Sequence, residues 1–298
     1  MRLVMQAPRN RALVLVLALA AAGGSVAACG APEPRSALGY TADAKRAYDK
    51  AMVEFNDHNW LEAQNLLRDV KRKYSYSKYA RLAELRLADA DFEQDKFADA
   101  MRGYRQFVHD HRSDIDEVTY ARSRIAEAQY KQISDSIILP TADERDQAAI
   151  QDAYKELKGF LHDYPDAKQS RRVRELLEDV TARLVRHELY VARFYLRRDN
   201  YDAAVGRLLY ALRNYAASAG PLPGESLEPR GPPKAKSSVV IDSGLEAEAL
   251  LVLGETYLKM HRWRDAREAF EAILSSYSKS AFTVPAQNYL AFMKERGV

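Results

Sequence analysis

One pattern of eight positions recurs through this chain and limits how it can fold. In its clearest copy, Leu250, Leu253, Gly254 and Tyr257 are followed by Trp263, Ala266, Phe270 and Ile273. Steps of three and four residues trace one face of a helix, so the copy reads as two helices joined by a short turn. The small residues Gly254 and Ala266 let the two helices approach closely, while the large ones fill the space between successive pairs. Alignment on the alanine finds Trp60/Ala63/Leu67/Val70, Phe97/Ala100/Tyr104/Phe107, Ala153/Leu157/Phe160/Pro165 and Tyr201/Ala204/Leu208/Ala211. Ala51, Ala88 and Ala192 supply the small residue on the first helix of three of these units. Units of this kind cannot bury their apolar faces alone and have to stack.

The pattern resembles the tetratricopeptide repeat. It predicts an all-α solenoid of about five helix pairs over residues 41–298, with a last helix, begun by Thr283 and Pro285, capping the fifth pair. Composition agrees. Only 13 glycines and 11 prolines occur in 298 residues, and five of those prolines lie between Pro221 and Pro233. Long stretches therefore carry no helix breaker, which leaves little room for a sheet-based fold. The repeat alanines at positions 63, 100, 153, 204 and 266 lie 37, 53, 51 and 62 residues apart, against about 34 for an ideal unit. The excess falls in connections: Ile133–Asp146 inside the third unit, and Ala219–Gly244 between the fourth and fifth. The Pro, Gly, Ser and Lys content of Ala219–Gly244 predicts a mobile insertion, in which Ser237–Ile241 could form a short strand.

The N-terminus has a different logic. Arg2, Arg9 and Arg11 precede the apolar run Ala12–Ala22, then Gly23-Gly24-Ser25 and Val26-Ala27-Ala28-Cys29. A basic segment, an apolar segment of about 16 Å as a helix and a small-residue site form a secretory signal, too short for a hydrocarbon core of about 30 Å. The aliphatic residue three before the chain's single cysteine, with small residues after it, is similar to a bacterial lipobox. Residues 1–28 are thus expected to be a lipoprotein signal peptide, with a covalent lipid on Cys29 as membrane anchor and no other cofactor. Residues 29–40, with Pro32, Pro34 and Gly39, read as a flexible tether, and Thr41 as the first N-cap. Removing the signal takes away three of 45 basic residues and none of 42 acidic ones. The remaining chain is neutral, which argues against nucleic acid as a partner.

No catalytic constellation is found. His187-Glu188 begins an HExxH motif, but Val191 stands where its second histidine belongs. His109 and His111 flank Asp110; two ligands without a third make a solvated turn, so no metal site is expected. A phosphate loop and a nucleophile elbow are missing too. The remaining candidates are binding residues. Tyr48, Met52 and Phe55 in the first unit, and Arg86, Asp89 and Phe92 in the second, fall on first-helix positions that line the concave side of such solenoids. Either they pack between repeats or they form a groove for an extended peptide.

The lipobox followed by five degenerate units resembles the BamD (YfiO) family, lipoproteins of the outer-membrane β-barrel assembly machinery. Leu184–Tyr215 carries the resemblance furthest, with its Glu188, Val191-Ala192, Phe194-Tyr195, basic pair, Tyr201 and Ala203-Ala204-Val205-x-Arg207. Asp143–Gln147 and Phe160–Pro165 are similar as well. Ser75, Arg112, Ala216 and Ser278 depart from it, standing where the family's unit ends usually carry proline.

The resemblance implies a non-enzymatic adaptor, lipid-anchored on the periplasmic side of the outer membrane of a Gram-negative bacterium. It would dock on the last POTRA domain of the BamA insertase, beside other lipoproteins of the machinery, and receive unfolded outer-membrane proteins in its N-terminal groove. Arg207, with Arg197 and Arg198 one helix away, would face the insertase. Pilotins for secretins and Tol-Pal-linked envelope factors share the lipobox and repeats and are the alternative. Five units and the Leu184–Tyr215 stretch favour the assembly reading.

Overall fold

The computed structural model describes residues 37–133, 147–215, 223 and 244–298. Cys29 with its signal, residues 134–146 and the Ser237–Ile241 stretch lie outside the described residues. Eleven helices and no strand occur among the described residues, and they fall into the five expected pairs plus a cap. The first three pairs are α1 (Ala37–Asn56) with α2 (Trp60–Lys73), α3 (Lys78–Glu93) with α4 (Phe97–Asp110), and α5 (Ile115–Lys131) with α6 (Ala148–Asp163). The last two are α7 (Ser170–Leu196) with α8 (Tyr201–Tyr215) and α9 (Glu246–Lys259) with α10 (Trp263–Ser276), and α11 (Thr283–Glu295) follows. Each helix packs on the next, and α1 also packs on α3, α5 on α7 and α7 on α9. Odd helices therefore form the inner layer of the solenoid and even helices the outer one.

Close approach within pairs is enforced by the small residues. A methyl group on Gly254 would lie 2.5 Å from Cε1 of Phe270 across the α9–α10 contact. One on Gly103 would lie 2.9 Å from Cβ of Ala88. Phe270 is fully buried and stacks on Tyr289 of α11, with ring centroids 4.9 Å apart, so the last helix does cover the fifth pair.

The turns inside four pairs share one backbone. His58, Asp95, Asp199 and His261 all have φ between 55° and 61°. In each, the amide of the following residue reaches back to a carbonyl five residues earlier, Asn59 to Glu54 and Arg262 to Tyr257, both at 2.9 Å. These are Schellman caps, in which a left-handed residue reverses the chain and satisfies orphan carbonyls. The aromatic that opens the outer helix follows two residues later. In the third pair the longer 132–147 connection replaces this turn.

Three sequence expectations need correction. α1 begins at Ala37, not at Thr41, so residues 37–40 belong to the solenoid and not to the tether. The Ala219–Gly244 insertion is tied down at one described point: Pro223 is buried and its carbonyl accepts a 2.9 Å hydrogen bond from the hydroxyl of fully buried Tyr257. A buried phenol needs such a partner, and here the insertion supplies it. The third correction, at Asp89 and Phe92, belongs to the site.

Candidate functional site

The inner layer of the first three pairs carries a polar cluster built around Asp89. This aspartate faces inward from α3 and is 2% exposed. Its Oδ1 accepts hydrogen bonds from the Tyr104 hydroxyl of α4 and, at 3.0 Å, from the Tyr120 hydroxyl of α5. Arg86, one turn before it, donates to Oδ2, and Nε of Arg124 lies 4.0 Å from Oδ1. Arg124 also donates to Glu93 at 2.8 Å and Glu127 at 2.9 Å, and its guanidinium lies 3.6 Å from the ring centroid of Phe92. Tyr48 of α1 lies close enough to Arg86 to favour its charge.

Burial pushes the Tyr120 phenol up to about 12, with Asp89's charge adding to the effect, and raises Tyr104 further in the same way. Burial works against charge on Arg86 and Arg124, yet Asp89, Tyr48 and Tyr120 outweigh it at Arg86, and Tyr104, Tyr120 and Glu127 at Arg124, so both cations are held firmly protonated. Such a cluster keeps its protons through the neutral range. It positions two guanidinium groups at the inner surface.

The six groove candidates divide accordingly. Tyr48, Met52, Phe55 and Arg86 are half-buried and remain available on the inner surface. Phe55 packs edge-on against Trp60, with ring centroids 5.2 Å apart. Asp89 and Phe92 do not line an open groove: Asp89 is enclosed by its partners, and Phe92, 8% exposed, is covered by Arg124. Tyr104, Tyr120 and Arg124 were not among the candidates. Arg124 stands two residues before the small, buried Ala126, as Arg86 stands two before Ala88. The 132–147 connection breaks the twelve-residue step from that small residue to the repeat alanine, which hid the correspondence.

A second site lies between α7 and α8. Glu188 of α7 is buried, and its Oε2 accepts a hydrogen bond from Nη1 of Arg207 at 3.3 Å. The Arg207 side chain stays 45% exposed at the rim of a cavity of about 450 Å³, beside Tyr210, Gln151 and His187. Around the α7–α8 turn, Arg198 stacks on Phe194 at 3.6 Å, and Arg197 is exposed with no ion pair among the described residues. The turn thus presents Phe194, Arg197 and Arg198 to solvent, separate from the Arg207 groove but on the same helix pair.

Among the described residues, no group of three His, Cys, Asp or Glu side chains converges. His111 sits 3.1 Å from Glu84, and His109 2.8 Å from Asp110.

Residues 41–221 match the family model described as outer membrane lipoprotein, YfiO, and residues 248–280 match a tetratricopeptide repeat. Among similar proteins are those named outer membrane protein assembly factor BamD. That of Xylella fastidiosa is 25% identical over 174 residues, which cover 58% of this chain and 60% of that protein. That of Neisseria gonorrhoeae is 24% identical over 213 residues, 68% of this chain and 77% of the relative. That of Caulobacter vibrioides is 24% identical over 212 residues, 71% and 67% respectively. The chain therefore spans about three fifths of the Xylella relative and more of the other two.

Proposed function

Because the chain belongs to the YfiO family of outer membrane lipoproteins, we propose that it is a non-enzymatic assembly factor, acylated at Cys29 and held at the periplasmic face of the outer membrane. Its last pairs dock on the POTRA domain of a BamA-like insertase, and its inner N-terminal layer receives segments of unfolded barrel proteins. The observation that carries the docking half is the Arg207–Glu188 pair. A buried carboxylate fixes the direction of a guanidinium that is still half exposed at a groove rim. Such a cation is ready to meet an acidic group on a partner without first being ordered. Arg197 and Arg198 add a second, separate cationic surface at the turn of the same helix pair. For the client half, an extended strand ending in an aromatic residue and a carboxylate suits half-buried aromatics beside Arg86 and Arg124.

Arg207→Gln is the informative change, since Arg207→Glu would set two carboxylates against each other at Glu188. The variant should fold and keep its helicity, while binding to isolated POTRA domains weakens by at least about tenfold, because truncating a desolvated charge pair costs about 2–5 kcal/mol. Unchanged POTRA binding by the folded variant removes Arg207 from the interface. Failure of the unaltered protein to bind POTRA domains would overturn the docking partner and direct the search to secretin or Tol-Pal systems.

A further inference from the structure

The first two helix pairs are polarised in charge along their axes. Lys71–Arg81, which ends α2, turns and begins α3, holds five cations, three tyrosines and no acidic residue. At the other end of the same helices, Glu54, Asp57 and Glu62 border the α1–α2 turn, with no Lys or Arg from 54 to 67. Asp91, Glu93, Asp95 and Asp99 border the α3–α4 turn, where Lys96 is the basic neighbour. All five cations of the basic end are exposed. Three carboxylates reach four of them: Asp69 takes both Arg72 at 2.6 Å and Lys73 at 3.2 Å, Glu84 takes Lys71 at 3.0 Å, and Asp114 takes Arg81 at 2.9 Å. Lys78 lies 5.3 Å from the ring centroid of Tyr79 instead. Exposed pairs of this kind are weak and exchange readily for another anion.

What covers this end follows from where the chain enters it. Tyr40 packs edge-on against Tyr74, with ring centroids 5.4 Å apart, so α1 begins beside the basic turn. Eight residue steps separate Cys29 from Ala37 and span at most about 29 Å. The 20 residues of α1 put the acidic end about 30 Å further away. A lipid on Cys29 therefore holds the basic end within one short tether of a bilayer, at high effective concentration. Two large side chains stand ready there without any packing role: Tyr76 at the tip of the turn is 95% exposed, and Leu38 in the first turn of α1 is 85% exposed. Tyrosine suits the headgroup level, and a cluster of cations beside an acyl chain is the second signal that makes such anchoring stable. The next turn on the same edge, between α4 and α5, carries Asp110, Asp114, Asp116 and Glu117 beside Arg112. Contact with an anionic surface thus stops at the second pair.

We propose that the Lys71–Arg81 turn and the start of α1 rest on the headgroups of an anionic phospholipid bilayer. The cations meet lipid phosphates, Tyr76 and Leu38 enter the interface, and the acidic turns point away from the membrane. The solenoid is thereby oriented as well as tethered. This rests on the acylation of Cys29 proposed above and is independent of the Arg207 contact.

The test uses the acylated full chain reconstituted in vesicles, either phosphatidylcholine alone or an equal mixture with phosphatidylglycerol. A fluorophore is attached to Ser75→Cys beside the basic turn or to Asn56→Cys at the acidic end; both positions are exposed, and acylated Cys29 offers no thiol. Lipids carrying a nitroxide at the headgroup act as quencher. In the mixed vesicles position 75 should be quenched and position 56 should not. Quenching at 75 should fall at least about fivefold in phosphatidylcholine alone, at high salt, and in Lys71→Gln/Lys73→Gln/Lys78→Gln. The lipid and salt arms keep the full charge set, so they decide the matter even if circular dichroism shows the triple variant to be misfolded. Equal quenching at 75 and 56, or quenching at 75 that is indifferent to phosphatidylglycerol and salt, overturns the proposal. A chain that floats with the vesicles while position 75 stays unquenched fails here and keeps its acylation; a chain that does not float at all fails at Cys29, and both readings fall together.

Discussion

Asp89 shows what a single buried charge does in this molecule. A carboxylate taken out of water costs several kcal/mol, recovered only when every lone pair finds a donor. Arg86, Tyr104 and Tyr120 provide those donors from three helices, and Arg124 adds a second cation nearby. The arrangement makes Asp89 the residue that registers α3, α4 and α5 against one another. Asp89→Asn keeps the shape and removes the charge, leaving two guanidinium groups facing each other without their common anion. A loss of about 3 kcal/mol is expected, read as a lower urea midpoint with an unchanged slope. A midpoint within error of the unaltered protein would mean that the cluster is held by packing alone. Tyr120 gives the same network a pH signature. Its folded phenol holds its proton up to about 12, pushed there by burial and then by Asp89, whereas an unfolded tyrosine titrates near 10. Its contribution is therefore complete below about 10 and is lost as pH rises through 12. In Asp89→Asn that late tyrosinate step should move to lower pH.

At the level of the helices, close approach is decided one residue per pair. Gly254 has no room for a side chain because Phe270 occupies it, whereas nothing lies within 4 Å of a methyl built on Gly206 of α8. Both are helical, so alanine gains about 1 kcal/mol of propensity at either. At Gly206 that gain should appear as a rise in stability. At Gly254 overpacking of about 1–3 kcal/mol opposes it, and the aromatic stack of Phe270 on Tyr289 is disturbed. Thermal melts of the two variants should move in opposite directions; a stabilised Gly254→Ala would show that α9 and α10 can separate at little cost. This also explains what could be read from the chain before its structure. Ala51, Ala88, Ala192 and Gly254 each stand twelve residues before their repeat alanine, and that step marks four of the five pairs. The left-handed turns carry no such mark in the sequence, because His58, Asp95, Asp199 and His261 stand where glycine usually signals them. The length of α7 is unmarked too, because its 27 residues continue a buried stripe, from Val173 to Ala192, well before the repeat pattern starts. At the sites, helix-face position singles out Arg86, whereas Arg207 is singled out by the family resemblance. The enclosure of Asp89 and Phe92 is signalled by neither, since it depends on Tyr104, Tyr120 and Arg124 arriving from neighbouring helices.

The core of the whole solenoid is not uniform. One continuous apolar cluster runs from Ala126 and Ile150 through Leu184, Leu208 and Leu253 to Met293, joining α5 through α11. The first pair rests on a much smaller cluster, Ala51, Leu67, Val70 and Ala83, and the second on one centred on Tyr104, Phe107 and Ile125. In a stacked array each unit is stabilised mainly by its neighbours, and local opening follows the weakest interface. The first pair should therefore open alone, while α7–α10 open only with the whole. Hydrogen exchange on the full chain should show lower protection in α1 and α2 than in α7 through α10. Leu67→Ala, which removes a fully buried side chain at about 2–5 kcal/mol, should speed exchange from α1 to α3 and leave α7–α10 unchanged. Equal protection along the chain, or a Leu67→Ala effect that spreads to α9, would mean that the three clusters act as one cooperative unit. On the proposed function the division has a use: the surface that must adapt to varied client segments lies on the softer pairs, and the surface that holds one partner lies on the firmer ones.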